Sequence, residues 1–387
     1  MRKAPGGLST RAIHGETRRP SDGTPVVSPI YQSATYTNPV GTAEGVLYTR
    51  YGNTPNQLSV AERLAALEGG ERALFLSSGM GATALAHFAV LNPGDHLLAS
   101  EWIYGGTRRL FAGEFRRLGI EVTFTDPSDP RNWRTHLQKN TRAVFVEALT
   151  NPLMRVVDID YLASFCRELG ITLLVDSTFA TPINLRPLEH GADIVIHSAT
   201  KYLNGHSDVI AGAVVGDEAV VGEVQRLMTM WGQSIDPHQA WLVERGLKTL
   251  AVRVERHNTN GLAFASWAEG HPRIGRVFYP GLPSHPDHEL ASRILAGHSG
   301  MVGLVVDADD EGLEQVLRRL RLATHAPSLG GSETLVSVPR FTSHAGLPAE
   351  ELETQGVTAN LVRVSLGIED VADIIADFDT ALDVLST

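Results

Sequence analysis

Lys201 stands in the run Asp193-Ile-Val-Ile-His-Ser-Ala-Thr-Lys201-Tyr-Leu-Asn-Gly-His-Ser207, with no other Asp, Glu, Lys or Arg between Asp193 and Asp208. An amine that follows an apolar, β-branched stretch is partly desolvated, and burial disfavours its charged form. Lysines that form Schiff bases are placed in this way. Two hydroxyl residues beside it, Ser198 and Thr200, can hold a phosphate. A second chemical group lies upstream. Ile171-Thr-Leu-Leu-Val175 reads as a buried strand, and it ends in Asp176-Ser-Thr178. Open α/β sheets bind ligands beyond the carboxyl ends of their strands. An Asp in such a place is commonly a helix cap or turn residue. Taken with the Lys201 run, it suits the ring nitrogen of pyridoxal phosphate, whose chemistry needs a Schiff-base lysine and an acidic partner.

The elements that must position these groups follow from the apolar pattern. Short apolar strands (73–76, 96–99, 121–125, 143–146, 171–175, 194–196 and 209–215) alternate with helical stretches. That alternation predicts an α/β fold with a mostly parallel sheet covered by helices. The first fifty or so residues are rich in Pro, Gly, Thr and Ser and read as an extended arm. A long helical segment from Pro237 to about His257 should join a large domain to a smaller α+β one. The latter holds strands 301–306, 334–337 and 361–365, a helix 311–321 and a final helix from about Val371. The expected division is an arm over 1–54, a cofactor-binding domain over 55–250 and a C-terminal α+β domain over 251–387.

Further candidates sit at the ends of these elements. Ser77-Ser-Gly-Met-Gly-Ala82 follows a strand and opens a helix, where backbone N–H groups and the helix dipole suit an anion. Tyr104, on a loop after a strand, can stack on a ring or exchange a proton, or be a half-buried loop tyrosine. Asn151-Pro152 is a turn signal. Arg50 suits bidentate phosphate binding. Arg363 is a lone charge in the strand Leu361-Val-Arg-Val-Ser365, which by itself suits an exposed edge strand. His285-Pro-Asp-His288 has metal-ligand types, but a turn and a polar helix start explain it, and no metal is expected.

The Lys201 segment resembles the signature of the Cys/Met-metabolism family of pyridoxal-phosphate enzymes, which includes cystathionine γ-synthase, cystathionine β- and γ-lyases, methionine γ-lyase and O-acylhomoserine sulfhydrylases. The similarity runs from Ser9-Thr-Arg-Ala-Ile-His14 to Val362-Arg-Val-Ser-Leu-Gly-Ile-Glu369. It implies an aspartate-aminotransferase-like (fold type I) architecture and pyridoxal 5'-phosphate as cofactor. By that resemblance Gly79 and Met80 hold the phosphate with Ser198 and Thr200, and Asn151 donates to the cofactor's phenolic oxygen. Tyr104 stacks on the ring and protonates the leaving group. Arg363 clamps the substrate carboxylate, and Ser328 orients Lys201 or that carboxylate. Tyr48 and Arg50 reach the phosphate of a neighbouring subunit in a homotetramer with shared sites. Lys201 removes the α-proton of an amino acid. A lyase then releases a 2-oxo acid and ammonia, whereas a synthase forms a new thioether.

Two departures bear on substrate. Pro327 occupies the place where cystathionine enzymes of the family commonly carry a Glu that holds a distal ammonium, which favours an apolar tip and methionine. Gly106 stands where methionine γ-lyases often carry a reactive Cys. The expectation is a γ-lyase of methionine or related thioethers, the alternatives being a cystathionine γ-lyase or a transferase.

Composition narrows the rest. The chain has 387 residues, 43% hydrophobic and 20% charged, and a net charge of −11. Such a charge argues against nucleic-acid partners. No apolar run approaches the ~18 residues of a membrane span. The start lacks the apolar core of a signal peptide, and a cytoplasmic protein is expected. The single cysteine, Cys166, lies at helical spacing with Leu162, Phe165 and Leu169, as a core residue would.

Overall fold

The computed structural model describes residues 6–15, 22–346 and 348–386. Seven strands form the first sheet: β1 (Arg72–Leu76), β2 (His96–Ser100), β3 (Glu121–Thr125), β4 (Thr141–Glu147), β5 (Thr172–Asp176), β6 (Ile194–His197) and β7 (Gly212–Gly216). Their order is β1-β7-β6-β5-β4-β2-β3, with β6, β5, β4, β2 and β3 parallel and β7 antiparallel to both its neighbours. The middle strands are near-continuous apolar runs because helices cover both faces, which is the mark of a parallel sheet. Two separate apolar clusters, one containing Val144, Val146, Leu173 and Val175 and the other Leu97, Phe145, Leu174 and Ile196, are packed on its opposite faces. Cys166 is in the first, and burial pushes its thiol up to about 12.

The second sheet has β8 (Ile274–Phe278), β9 (Met301–Val306), β10 (Thr324–His325), β11 (Leu335–Ser337) and β12 (Leu361–Ser365), in the order β10-β11-β12-β9-β8. Only the β10–β11 pair is parallel. Arg363 therefore lies on an interior strand between β11 and β9, and the exposed-edge alternative fails.

Three local expectations change. The segment expected as one helix from Pro237 to His257 is two, Pro237–Leu247 and Leu250–Glu269. The strand expected over 209–215 begins only at Gly212. The arm contains a short helix, Leu8–His14, whose Ala12 carbonyl accepts from Arg63 Nη1 at 2.9 Å. No helix among the described residues is long and apolar enough to cross a membrane.

Candidate active site

The carboxyl ends of the parallel strands converge. β4 ends at Glu147 and β5 at Asp176, partners in register. Ser198–Lys201 follow β6, Tyr104 lies on the loop after β2, and the helix Gly79–Phe88 starts just after β1. That helix starts where it does because Ser78 caps it, its hydroxyl accepting from the Gly81 N–H at 3.1 Å. These ends line a cavity of about 550 Å³, closed from the second sheet by Ser328 and by Arg363 of β12.

Lys201 Nζ donates to Ser328 Oγ at 2.8 Å. Burial, and then the Arg363 charge, lower its amine from 10.5 to about 8. Ser328 is held at φ 90, a strained conformation for a residue with a side chain, of the kind that clusters at functional sites. Arg363 is 4% exposed. Its Nη1 donates to Asn151 Oδ1 at 3.1 Å and its Nη2 to the Ser328 carbonyl at 3.2 Å. Its Nε has no partner, and it forms no ion pair among the described residues. Burial pulls the guanidinium down to about 10. The two carboxyls pull the other way. Burial raises Asp176, opposed by hydrogen bonds from Thr178 and by His197. Burial and then the charge of Asp176 raise Glu147 well above the carboxylate range. Glu147 accepts the Tyr104 N–H at 2.6 Å, which fixes the base of that loop. The Tyr104 side chain remains 40% exposed over the cavity.

Comparison with known proteins places this arrangement. Residues 9–383 match the family model described as Cys/Met metabolism PLP-dependent enzyme. The chain belongs to that family. It is 41% identical over 380 residues to a cystathionine β-lyase of Coxiella burnetii, covering 97% of each chain. It is 40% identical over 391 residues to an L-methionine γ-lyase of Porphyromonas gingivalis, covering 98% of each chain. The crystal structure of cystathionine γ-synthase from Xanthomonas oryzae pv. oryzae in complex with aminoacrylate and cysteine superposes with a TM-score of 0.95 at 34% identity, covering 99% of both chains. The protein is a fold type I, pyridoxal-phosphate-dependent enzyme of sulfur amino acids.

The residues present fit that cofactor. Asp176 is a half-buried carboxyl at a strand end, open to the cavity and unmatched by an ion pair among the described residues, as a protonated ring nitrogen would require. At the helix start, a Cβ on Gly79 would stand 2.8 Å from Ser198 Cβ and Oγ. Only glycine lets the helix N-terminus come this close to Ser198, and the pair makes a cradle for an anion.

Of the residues expected from sequence, Gly79, Met80, Tyr104, Asn151, Asp176, Ser198, Thr200, Lys201, Ser328 and Arg363 line the one cavity. The Thr200 hydroxyl is held by Ala211, donating to its carbonyl at 3.1 Å and accepting its N–H at 3.0 Å. Tyr48 and Arg50 do not line the cavity. Arg50 donates to the Thr229 carbonyl at 2.6 Å and packs on the Tyr48 and Tyr51 rings. The sequence reading passes over Glu147 and Thr178. Thr178 Oγ1 accepts the Ser198 N–H at 2.9 Å. The signal for Glu147 was present: like Asp176, it is an acid terminating an apolar strand. Ile210 and Phe341, at the mouth, carry no such signal.

Proposed function

We propose that the protein is a γ-lyase acting on methionine or related small thioethers. One observation carries the substrate reading. The cavity's acidic lining residues are Glu147 and Asp176, both at strand ends, whereas Pro327, Ile210 and Phe341 present apolar surface. A distal ammonium beside Pro327, Ile210 and Phe341 would find no counter-charge in them, and leaving it unpaired is costly.

When bound, pyridoxal phosphate supplies an electron sink beside the substrate's α-carbon. Asp176 would hold its ring nitrogen, Asn151 its phenolic oxygen, and the Gly79–Met80 helix start with Ser198 and Thr200 its phosphate. Arg363, a buried cation with spare N–H groups, receives the substrate carboxylate. Lys201, with its amine near 8, is neutral often enough at working pH to take the α-proton. Ser328 steers Lys201 through their 2.8 Å hydrogen bond. Tyr104, at the mouth, delivers a proton to the departing sulfur. Methionine and water then give 2-oxobutanoate, ammonia and methanethiol. Tyr48 and Arg50 serve the phosphate site of a neighbouring copy, so the working form is at least a dimer and by family likeness a tetramer.

The test is to supply purified holoenzyme with methionine and no second substrate. 2-Oxobutanoate and methanethiol in equal amounts are expected. Turnover that appears only when a thiol and an activated homoserine are both present would overturn the lyase reading. Pyruvate from cystathionine, with methionine untouched, would replace it with β-elimination. Mixed Arg50→Ala and Lys201→Ala chains should recover activity in hybrids if sites are shared, and none if each chain is self-sufficient.

A further inference from the structure

His285-Pro-Asp-His288 is absent from the catalytic cavity, and among the described residues no cluster of three His, Cys, Asp or Glu could hold a metal. Its Asp287 precedes the helix His288–Ile294 without capping it. The carboxylate instead takes Arg155 through two bonds, Nε at 2.6 Å and Nη2 at 3.0 Å, and also accepts the Val156 N–H at 2.9 Å. The Arg155 guanidinium carbon lies 4.0 Å from the centre of the Trp102 ring. The three side chains form a stack of ring, fork and carboxylate. Arg155 and Asp287 are 21% and 13% exposed, so solvent screens the pair only partly.

We propose that this stack is a clasp that positions Tyr104 and Asn151. Trp102 is two residues before Tyr104, and the backbone between them is pinned at buried Ile103. Arg155 closes the loop that bears Asn151: its carbonyl accepts the Thr150 N–H at 2.9 Å and its N–H donates to Thr150 Oγ1 at 3.1 Å. Asp287 comes from between β8 and β9, so the clasp also ties both loops to the unit whose β12 carries Arg363. Arg155 and Trp102 border a second cavity of about 650 Å³ that shares no lining residue with the first. They are therefore not filling a dry core, and their removal should spare the fold. This deepens the reading above, because it fixes the separation between the proposed acid, Tyr104, and the proposed carboxylate receptor, Arg363 with Asn151.

The test uses the holoenzyme and three variants: Asp287→Ala, Asp287→Asn and Arg155→Lys. Hydrogen exchange is read on peptides spanning residues 101–107 and 148–156, alongside kcat and KM. For Asp287→Ala, exchange in both peptides should quicken about tenfold or more, and kcat for methionine should fall by a similar factor. Asp287→Asn, which still accepts hydrogen bonds, should recover part of both. Arg155→Lys should resemble Asp287→Ala, since an ammonium has no fork. In a Tyr104→Phe background the Asp287→Ala loss in kcat should shrink, because two residues acting as a unit are not additive. Unchanged exchange in both peptides overturns the clasp, whatever happens to activity. Faster exchange in both peptides, with Tyr104→Phe alone leaving kcat intact, upholds the clasp and removes Tyr104 from the acid role.

Discussion

The inner and outer ends of the cavity are built differently. The inner end is made of strand termini. Glu147, Asp176 and Lys201 leave neighbouring parallel strands, and the two carboxyls are further fixed by half-buried hydrogen bonds from backbone N–H groups. The outer end is made of loops and the short 3-10 helix Pro339–Phe341, with Tyr104 40% and Phe341 68% exposed. Chemistry common to many substrates belongs at the rigid end, and discrimination among substrates at the adaptable one. This contrast matches the relatives, where β-lyase, γ-lyase and γ-synthase share one scaffold at similar identity.

The largest effect that would break this contrast is at the inner end. Lys201→Ala is expected to lower kcat at least about 10⁴-fold, since it removes both the proposed covalent attachment and the proposed base. Borohydride reduction of the native holoenzyme should label the Lys201 peptide, and labelling elsewhere would move the centre of the site. Next comes Tyr104→Phe, with a fall in kcat on methionine of roughly 10²–10⁴ and cofactor still bound. The loss should contract with an acylated homoserine, whose leaving group departs without a proton. Equal losses on both would make Tyr104 a ring platform only.

A third measurement concerns stability without cofactor. The Lys201 amine lies near 8 when folded against 10.5 as an ordinary lysine. Below pH 8 both folded and unfolded chains carry the ammonium, and burying it costs about 3 kcal/mol. Between about 8 and 10.5 the folded chain sheds its proton first and the cost is relieved. Lys201→Met should therefore stabilise the cofactor-free protein at pH 7, by about 2 kcal/mol once the lost Ser328 hydrogen bond is counted. The advantage should fade as the pH approaches 10. A denaturant titration at both pH values reads it, and a pH-independent difference would contradict it. Smallest is the outer end. Pro327→Glu should leave kcat on methionine within a few-fold and improve kcat/KM for cystathionine by about tenfold, through a new partner for the distal ammonium. No gain would place the discrimination elsewhere.

How much of this was legible in the sequence varies by element. The central strands were readable because both of their faces are buried, so they are unbroken apolar runs. β8 was not: Gly275 and Arg276 are exposed and the register shifts between Ile274 and Arg276, which destroys the alternation. The helix break after Leu247 has a tertiary cause that no local residue announces. Arg253 donates to the Gly246 carbonyl at 2.8 Å and to the Tyr202 carbonyl at 2.8 Å, which draws the turn toward the lysine loop. The inner site residues were legible as charges ending apolar runs. The mouth was not, because Ile210 and Phe341 are apolar residues whose role depends on where distant loops meet.

The joint between the sheets also sets an order of assembly. Lys201 meets Ser328 127 positions later, and Asn151 meets Arg363 212 positions later. During synthesis the strands bearing Glu147, Asp176 and Lys201 emerge first, and domains tend to fold as they emerge. A nascent chain halted before residue 328 would hold Glu147, Asp176 and Lys201 but neither the serine that accepts from the lysine nor the arginine proposed to grip an amino acid. The lysine side of the cavity would thus be laid down before the side that closes it, and the cavity would be complete only with the last strand.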